Sequence, residues 1–275
     1  MVQRRRTCLI DAKSLRNNMK SYISQEMTKR ALKNMLGFHM NLNAAFADWG
    51  MDFKGNLGRR NVVMSQAQEY FFAKELAKKF SGVDADGRTG KADIVIGEID
   101  KELECKLTSG RASGGYDLQT DLVTLKRKGS LDFLYVIAND TFMEFTVLHY
   151  IGLTADDFYP SSPGARGKAR MKKAQAMQKC VVLFGEVVVR NKSEIDKISS
   201  KIKTAQSEYV TRRSELTHRL DECSGRAVKK KQNIKTMMKN NKLRLDARED
   251  RLFSKLDFWV QSPPQVGFRL ETIVR

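Results

Sequence analysis

The sequence predicts an α/β fold with a mixed central sheet flanked by helices, and three observations carry that expectation. From QAQEYFFAKELAKKF onward, helix-period and strand-like segments alternate along the chain. LDFLYVIAND and FMEFTVLHYIG are almost continuously apolar, the pattern of strands covered on both faces. Hydrophobic residues make up 41% of the 275, enough for one sizeable core with appendages.

The elements follow in order. Residues 12–47 are rich in helix formers, with Met19, Ile23, Met27, Ala31, Leu32 and Met35 spaced mainly by three or four, so residues 1–60 read as a helical N-terminal segment. After the turn-like KGNLGRR, Ser65 is placed to cap a helix that Gly82 stops. A polar loop, SGVDADGRTG, leads to a strand at 93–96, a turn at 98–101 and a second strand at 102–107. The loop SGRASGGYD and a short helix, DLQTDLVTLKRKG, precede the two apolar strands, and CVVLFGEVVVR reads as a further strand. Residues 61–190 are thus the α/β core.

Beyond it the period changes. Ile195, Ile198, Ile202, Ala205, Tyr209 and Leu216 follow heptad spacing, and Met238, Leu245 and Leu252 resume a seven-residue step. Residues 191–256 are expected to fold as a helical hairpin or antiparallel coiled-coil arm that turns near CSGRAVKKKQN, so that each apolar stripe buries the other. The closing residues 257–275, with VGFRLETIVR, read as a strand returning to the core beside CVVLFGEVVVR.

The formal net charge of +18 points to a polyanionic partner. The charge is unevenly spread: residues 61–162 carry 11 basic and 16 acidic residues, whereas residues 191–256 carry 18 and 9. An acidic middle between basic flanks fits a chain that grips phosphates at its ends and holds a cation at its centre. No apolar run approaches bilayer length, and the basic start lacks the apolar stretch of a secretory signal, so a cytoplasmic protein with no membrane partner is expected. The basic segments also lack the aromatic faces that anchor interfacial helices. Cys8, Cys105, Cys180 and Cys223 form no CxxC pair, which argues against zinc or iron–sulfur ligation.

Two motifs can be set aside. GVDADGRT approaches a phosphate-binding P-loop but runs from a helix into a strand, the reverse of what a P-loop requires. His39, His149 and His218 form no metal-binding pair and join no nucleophile, and His149, in an apolar strand, reads as a hydrogen-bonded core residue. What remains is DIVIGEIDKELECKLTSG, with five carboxylates and two lysines in a basic chain. Alternate side chains of a strand share a face, so Glu104 and Lys106 project together, and Asp93 opens the neighbouring strand. Two carboxylates and a lysine converging at a strand end make a hard, oxygen-rich site for Mg²⁺, with an ammonium beside it to orient or deprotonate a water. A site of that kind hydrolyses phosphodiesters.

The order of capped helix, loop, Asp-led strand, turn, Glu104-Cys105-Lys106 strand, helix and strand resembles the PD-(D/E)xK nuclease superfamily, the fold of many type II restriction endonucleases. The resemblance covers residues 60–150 or so, and Ala92 stands where the family pattern has proline. It implies a restriction-endonuclease-like core and a metal site built from Asp93, Glu104 and the main-chain carbonyl of Cys105. Lys106 would stand beside the attacking water, Glu69 on the preceding helix would be a further acid, and Gln119 would be an auxiliary residue on the helix that follows. It further implies Mg²⁺ as cofactor, with Mn²⁺ as a substitute, and double-stranded DNA as partner. A homodimer is expected from the large helical additions.

DNA contacts are expected from Arg166, Lys168, Arg170, Lys172 and Lys173, and at the hairpin tip from Arg226, Lys229, Lys230 and Lys231. The expected activity is sequence-specific cleavage of DNA, with a structure-selective nuclease as the near alternative. The competing class is a non-catalytic DNA-binding or scaffolding protein organised by its coiled-coil arm.

Overall fold

A computed structural model describes residues 19–88, 91–110, 116–161, 164–165, 167–223, 227–262 and 265–273. These divide into two compact units, 19–188 with 266–273, and 189–265. The first is mixed α/β. In it α1 (Gln25–Asp48) and α2 (Leu57–Leu76) precede β1 (Val83–Asp84), β2 (Ile94–Ile96), β3 (Lys101–Ser109) and β4 (Gln119–Asp121). Then come α3 (Leu122–Lys128), β5 (Ser130–Ala138), β6 (Glu144–Thr154), β7 (Lys168–Arg170), α4 (Lys173–Ala176), β8 (Cys180–Phe184) and β9 (Glu186–Val189). The second unit holds α5 (Arg190–Asp221) and α6 (Val228–Gln261), after which β10 (Val266–Arg269) and β11 (Glu271–Thr272) complete the first.

The first helix starts later than its periodicity predicts. Ser24 adopts an extended conformation and its side chain accepts a hydrogen bond from the Met27 amide at 3.1 Å, so Ile23 lies outside the helix. Residues 12–18 fall outside the described residues. Met27, Ala31, Leu32, Met35 and Leu36 then form one buried stripe. Ser65 does not cap α2. Asn56 does, accepting from the Arg59 amide at 3.0 Å, and the Ser65 hydroxyl instead donates to the Val62 carbonyl one turn back at 2.8 Å. α2 ends at Leu76, before Gly82, and it crosses the boundary expected at residue 60.

The main sheet has seven strands in the order β1-β2-β3-β5-β6-β11, with β8 also on β6. The β3/β5 pair is parallel, and the other strand pairings with described register are antiparallel. Both faces of β5 are covered, which explains its unbroken apolar run. Leu134, Val136 and Ala138 join α1 and α2 in one core, while Leu131, Phe133, Tyr135 and Ile137 join a second core on the opposite face.

CVVLFGEVVVR is two strands rather than one. Gly185 has φ +73°, and a Cβ there would meet the Phe145 carbonyl at 2.9 Å, so the chain turns at this point. β8 stays in the main sheet and β9 pairs β10 in a separate two-stranded sheet. The closing segment therefore divides, with β10 beside β9 and β11 antiparallel to β6. β4 and β7 form a further ribbon, with Gln119 opposite Arg170, Thr120 opposite Ala169 and Asp121 opposite Lys168.

In the second unit α5 and α6, each about 50 Å long at 1.5 Å per residue, run antiparallel. The direction shows in their cross-links: Gln206 donates to Glu249 at 2.8 Å, Arg248 pairs Glu208 at 2.8 Å, and Asn191 donates to the Ser262 carbonyl at 3.0 Å. Leu216, Cys223 and Ile234 pack between them. No helix among the described residues is long and apolar enough to cross a membrane.

Candidate functional site

The β2/β3 ladder ends at the Ile94–Leu103 rung. One residue earlier on β2's side, the Asp93 carboxylate takes over from the missing backbone partner: its Oδ2 accepts the Cys105 amide hydrogen bond at 2.7 Å. Satisfying an N–H that the ladder leaves open fixes Asp93 at the point where the two strands part. Cys105 faces the α1/α2 core and is 3% exposed, so its neighbours Glu104 and Lys106 face the other side, in register with Phe133 and Tyr135 of β5. The Lys106 ammonium lies 2.6 Å from Glu104 Oε1 and 3.7 Å from Asp93 Oδ2.

Glu69 approaches from α2, whose Met64, Ala67 and Phe72 share the core with Leu103 and Cys105. A Cβ built on Gly87 would lie 3.4 Å from Glu69 Oε2 and 3.9 Å from Asp93 Oδ1, so the loop after β1 passes directly over both carboxylates. That loop is braced by Asp86, which pairs with Arg88 and, at 3.0 Å, with Lys91. On the other side Lys128, in the last turn of α3, donates to Glu102 at 2.6 Å, next to Glu104 on the same strand face.

The electrostatics join these groups into one cluster. Burial, reinforced by Asp93 and Glu104, pushes the Glu69 carboxyl up to about 7 against the pull of Lys106. Glu104 is also raised, first by burial and then by Asp93, with Lys106 opposing. Burial alone would lower the Lys106 ammonium, but Glu104 and Asp93 outweigh it and hold the group above its ordinary value. Lys106 is therefore an ammonium at neutral pH, a donor rather than a base.

Among the described residues no group of three His, Cys, Asp or Glu side chains is gathered as a ready-made metal site. The donor chemistry nonetheless fits a hard divalent cation: Asp93 and Glu104 offer only oxygens, and Glu69 and Glu104 are raised mainly because burial strips water from their carboxyls.

Gln119 is not on a helix. It sits on β4, ahead of α3, whose N-cap is Asp121, and its side chain makes no hydrogen bond to Asp93, Glu104 or Lys106. Its main-chain carbonyl accepts from the Tyr135 hydroxyl at 3.0 Å. Tyr135 is the cross-strand neighbour of Lys106, so β4 lies over the sheet face that carries the cluster.

The basic residues divide. Lys168 and Arg170 are exposed on β7, whereas Lys172 and Lys173 are half-buried and donate to the carbonyls of Asp156 and Tyr116 at 2.9 and 2.6 Å. Lys229, Lys230 and Lys231 occupy the first turn of α6, the first two exposed. Arg166 and Arg226 lie outside the described residues, as does most of the GRASGG loop. His149 is fully buried, with Nδ1 2.7 Å from the Ser21 hydroxyl.

Gly87 and Lys128 escaped the sequence reading. The only signal for Lys128 was the KRK run at the end of α3, which also suits a helix C-terminus, and Gly87 had none beyond a polar loop.

No family model matches the chain, and neither a curated protein nor a solved structure matches it.

Proposed function

We propose that the protein is a metal-dependent DNA endonuclease that cuts double-stranded DNA at specific sequences, with Asp93, Glu104 and the Cys105 carbonyl holding Mg²⁺ or, as a substitute, Mn²⁺. The observation that carries this reading is the meeting of Glu69, Asp93 and Glu104 around Lys106 where β2 and β3 part. The bound cation supplies positive charge at a phosphodiester and acidifies water. Lys106 donates a hydrogen bond to the water or to a non-bridging phosphate oxygen. Glu69, titrating near 7, accepts the proton that the attacking water loses. Attack at phosphorus forms one P–O bond as one P–O ester bond breaks, and the leaving alkoxide takes a proton from solvent water, giving a phosphomonoester and an alcohol.

Exposed Lys168, Lys229 and Lys230 add phosphate contacts, exposed Arg170 is a further DNA contact, and a dimer would cut both strands. The PD-(D/E)xK-like core and the coiled-coil character of α5 and α6 belong to the same reading. Incubation with plasmid and phage DNA, with Mg²⁺ or with EDTA, tests it against the Lys106→Ala variant. Discrete Mg²⁺-dependent fragments that the variant does not produce are expected. Binding without cutting by either protein, on linear and branched DNA alike, would overturn it in favour of a non-catalytic DNA-binding role. Cutting confined to branched DNA would make the enzyme structure-selective.

A further inference from the structure

We infer that the β4/β7 ribbon is a base-reading element, with Gln119 and Arg170 meeting base edges in the DNA major groove and Lys168 taking a flanking phosphate. The inference rests on the reading of the protein as a DNA-binding nuclease and assigns it a part that the catalytic cluster does not contain.

The ribbon's own pattern carries the argument. Thr120 and Ala169, its central rung, are buried at 5% and 2% exposure, and Ala169 belongs to the core beneath the sheet face that bears Tyr135. Alternation then turns both outer rungs away from the core. On one of them Asp121 is spent locally: its Oδ1 accepts from the Val123 and Thr124 amides at 2.9 and 3.1 Å to start α3, which leaves Lys168 as that rung's outward charge. On the other, Gln119 stands directly across from Arg170. The Arg170 side chain is 63% exposed, with its Nε 3.7 Å from Asp117 Oδ2.

An amide beside a guanidinium is the pair of groups that forms two hydrogen bonds with adenine N6/N7 and guanine O6/N7 respectively. A two-stranded antiparallel ribbon is also one of the two protein elements narrow enough to enter the major groove. Position agrees with chemistry, since the Gln119 carbonyl is tied to Tyr135, the cross-strand neighbour of Lys106, and a duplex seated on the ribbon lies against the cluster. Lys172 and Lys173, committed to backbone carbonyls, serve to anchor the segment after β7.

The test uses the full chain and a pool of duplexes with randomised base pairs, cut in Mg²⁺ and sequenced at the ends to obtain the wild-type consensus. Binding of the consensus duplex and of a random-sequence duplex is then measured in Ca²⁺ over a range of salt. Gln119→Ala leaves the main-chain bond to Tyr135 in place, and Arg170→Lys keeps the charge while removing the fork that reads a base. For each variant the expected result is loss of preference at one or two base pairs. Discrimination of consensus over random DNA should fall about 10- to 100-fold, while binding to random DNA changes by less than about 2-fold.

Arg170→Lys with unchanged preference, or Arg170→Ala weakening both duplexes equally with a shallower salt slope, would overturn the inference and make Arg170 a phosphate contact. Wild-type cleavage without any consensus would overturn base reading while leaving the nuclease intact. No cutting or binding by the wild type on any duplex would instead defeat the nuclease reading itself.

Discussion

A lysine and a glutamate 2.6 Å apart in the cluster, Lys106 and Glu104, and an arginine and a glutamate 2.8 Å apart between α5 and α6, Arg248 and Glu208, differ little as contacts. Their surroundings differ far more. The side chains of the first pair are 31% and 16% exposed, against 46% and 60% for the second. In water the attraction is screened and side-chain entropy opposes it, so the second pair serves mainly to register two helices. Where water is scarce a charge must be answered by its neighbours. Glu69 and Glu104 are raised by burial even though the Lys106 ammonium pulls both carboxyls down. Two ion pairs of nearly equal length thus differ in how far water screens them.

Lys106→Ala should have the largest effect. Metal-dependent cleavage is expected to fall by at least about 100-fold. With metal chelated, urea unfolding at pH 8 should show a loss on the order of 2–3 kcal/mol, because the buried carboxylates lose their cation. At pH 5, where Glu69 is protonated, the stability loss should shrink; an equal loss at both pH values would mean that the ammonium is not balancing the acids.

Glu69→Gln comes next. Its carboxyl, raised from 4.5 to about 7, favours the folded state while protonated, so the wild type gives up that stability as pH climbs from 4.5 through 7. The variant should therefore be more stable than wild type above pH 7, by on the order of 1 kcal/mol after allowance for solvent, and equal to it below pH 4.5. With a cation on Asp93 and Glu104 the Glu69 carboxyl would be pulled below its metal-free value, so wild-type cleavage should rise with a midpoint under 7, and the variant should lose that rise. A variant profile that still climbs with the wild-type midpoint would assign the titration to another group.

Gly87→Val sharpens the picture without touching a charge. Its side chain would enter the space beside Glu69 and Asp93, so cleavage should drop about 10-fold with thermal unfolding unchanged. The smallest effect belongs to the helix pair. Arg248→Ala should cost under about 1 kcal/mol in chemical denaturation, and less in high salt.

These differences also mark what a sequence reading can reach. That Glu104 and Lys106 share one strand face is legible because strand alternation is local, whereas Glu69 is marked out only by the family resemblance. Gln119 was misread as helical because β4 exists only through pairing with β7, about 50 residues away, and three residues carry no period of their own. Asn56 was passed over for Ser65 because KGNLGRR resembles a turn, although a cap and a turn draw on the same residues. The break at Gly185 was invisible for another reason: what forbids a side chain there is the Phe145 carbonyl of a neighbouring strand.

The parallel pairing of β3 with β5 has a consequence in time. β1, β2 and β3 zip from neighbouring segments, as do β5 and β6, whereas β3 meets β5 only after the intervening stretch with α3 has crossed over. Glu104 and Lys106 stand on the strand that forms this seam. Asp93, Glu104 and Lys106 thus gather as soon as β2 meets β3, whereas the Phe133 and Tyr135 side of their surroundings arrives only when β5 docks.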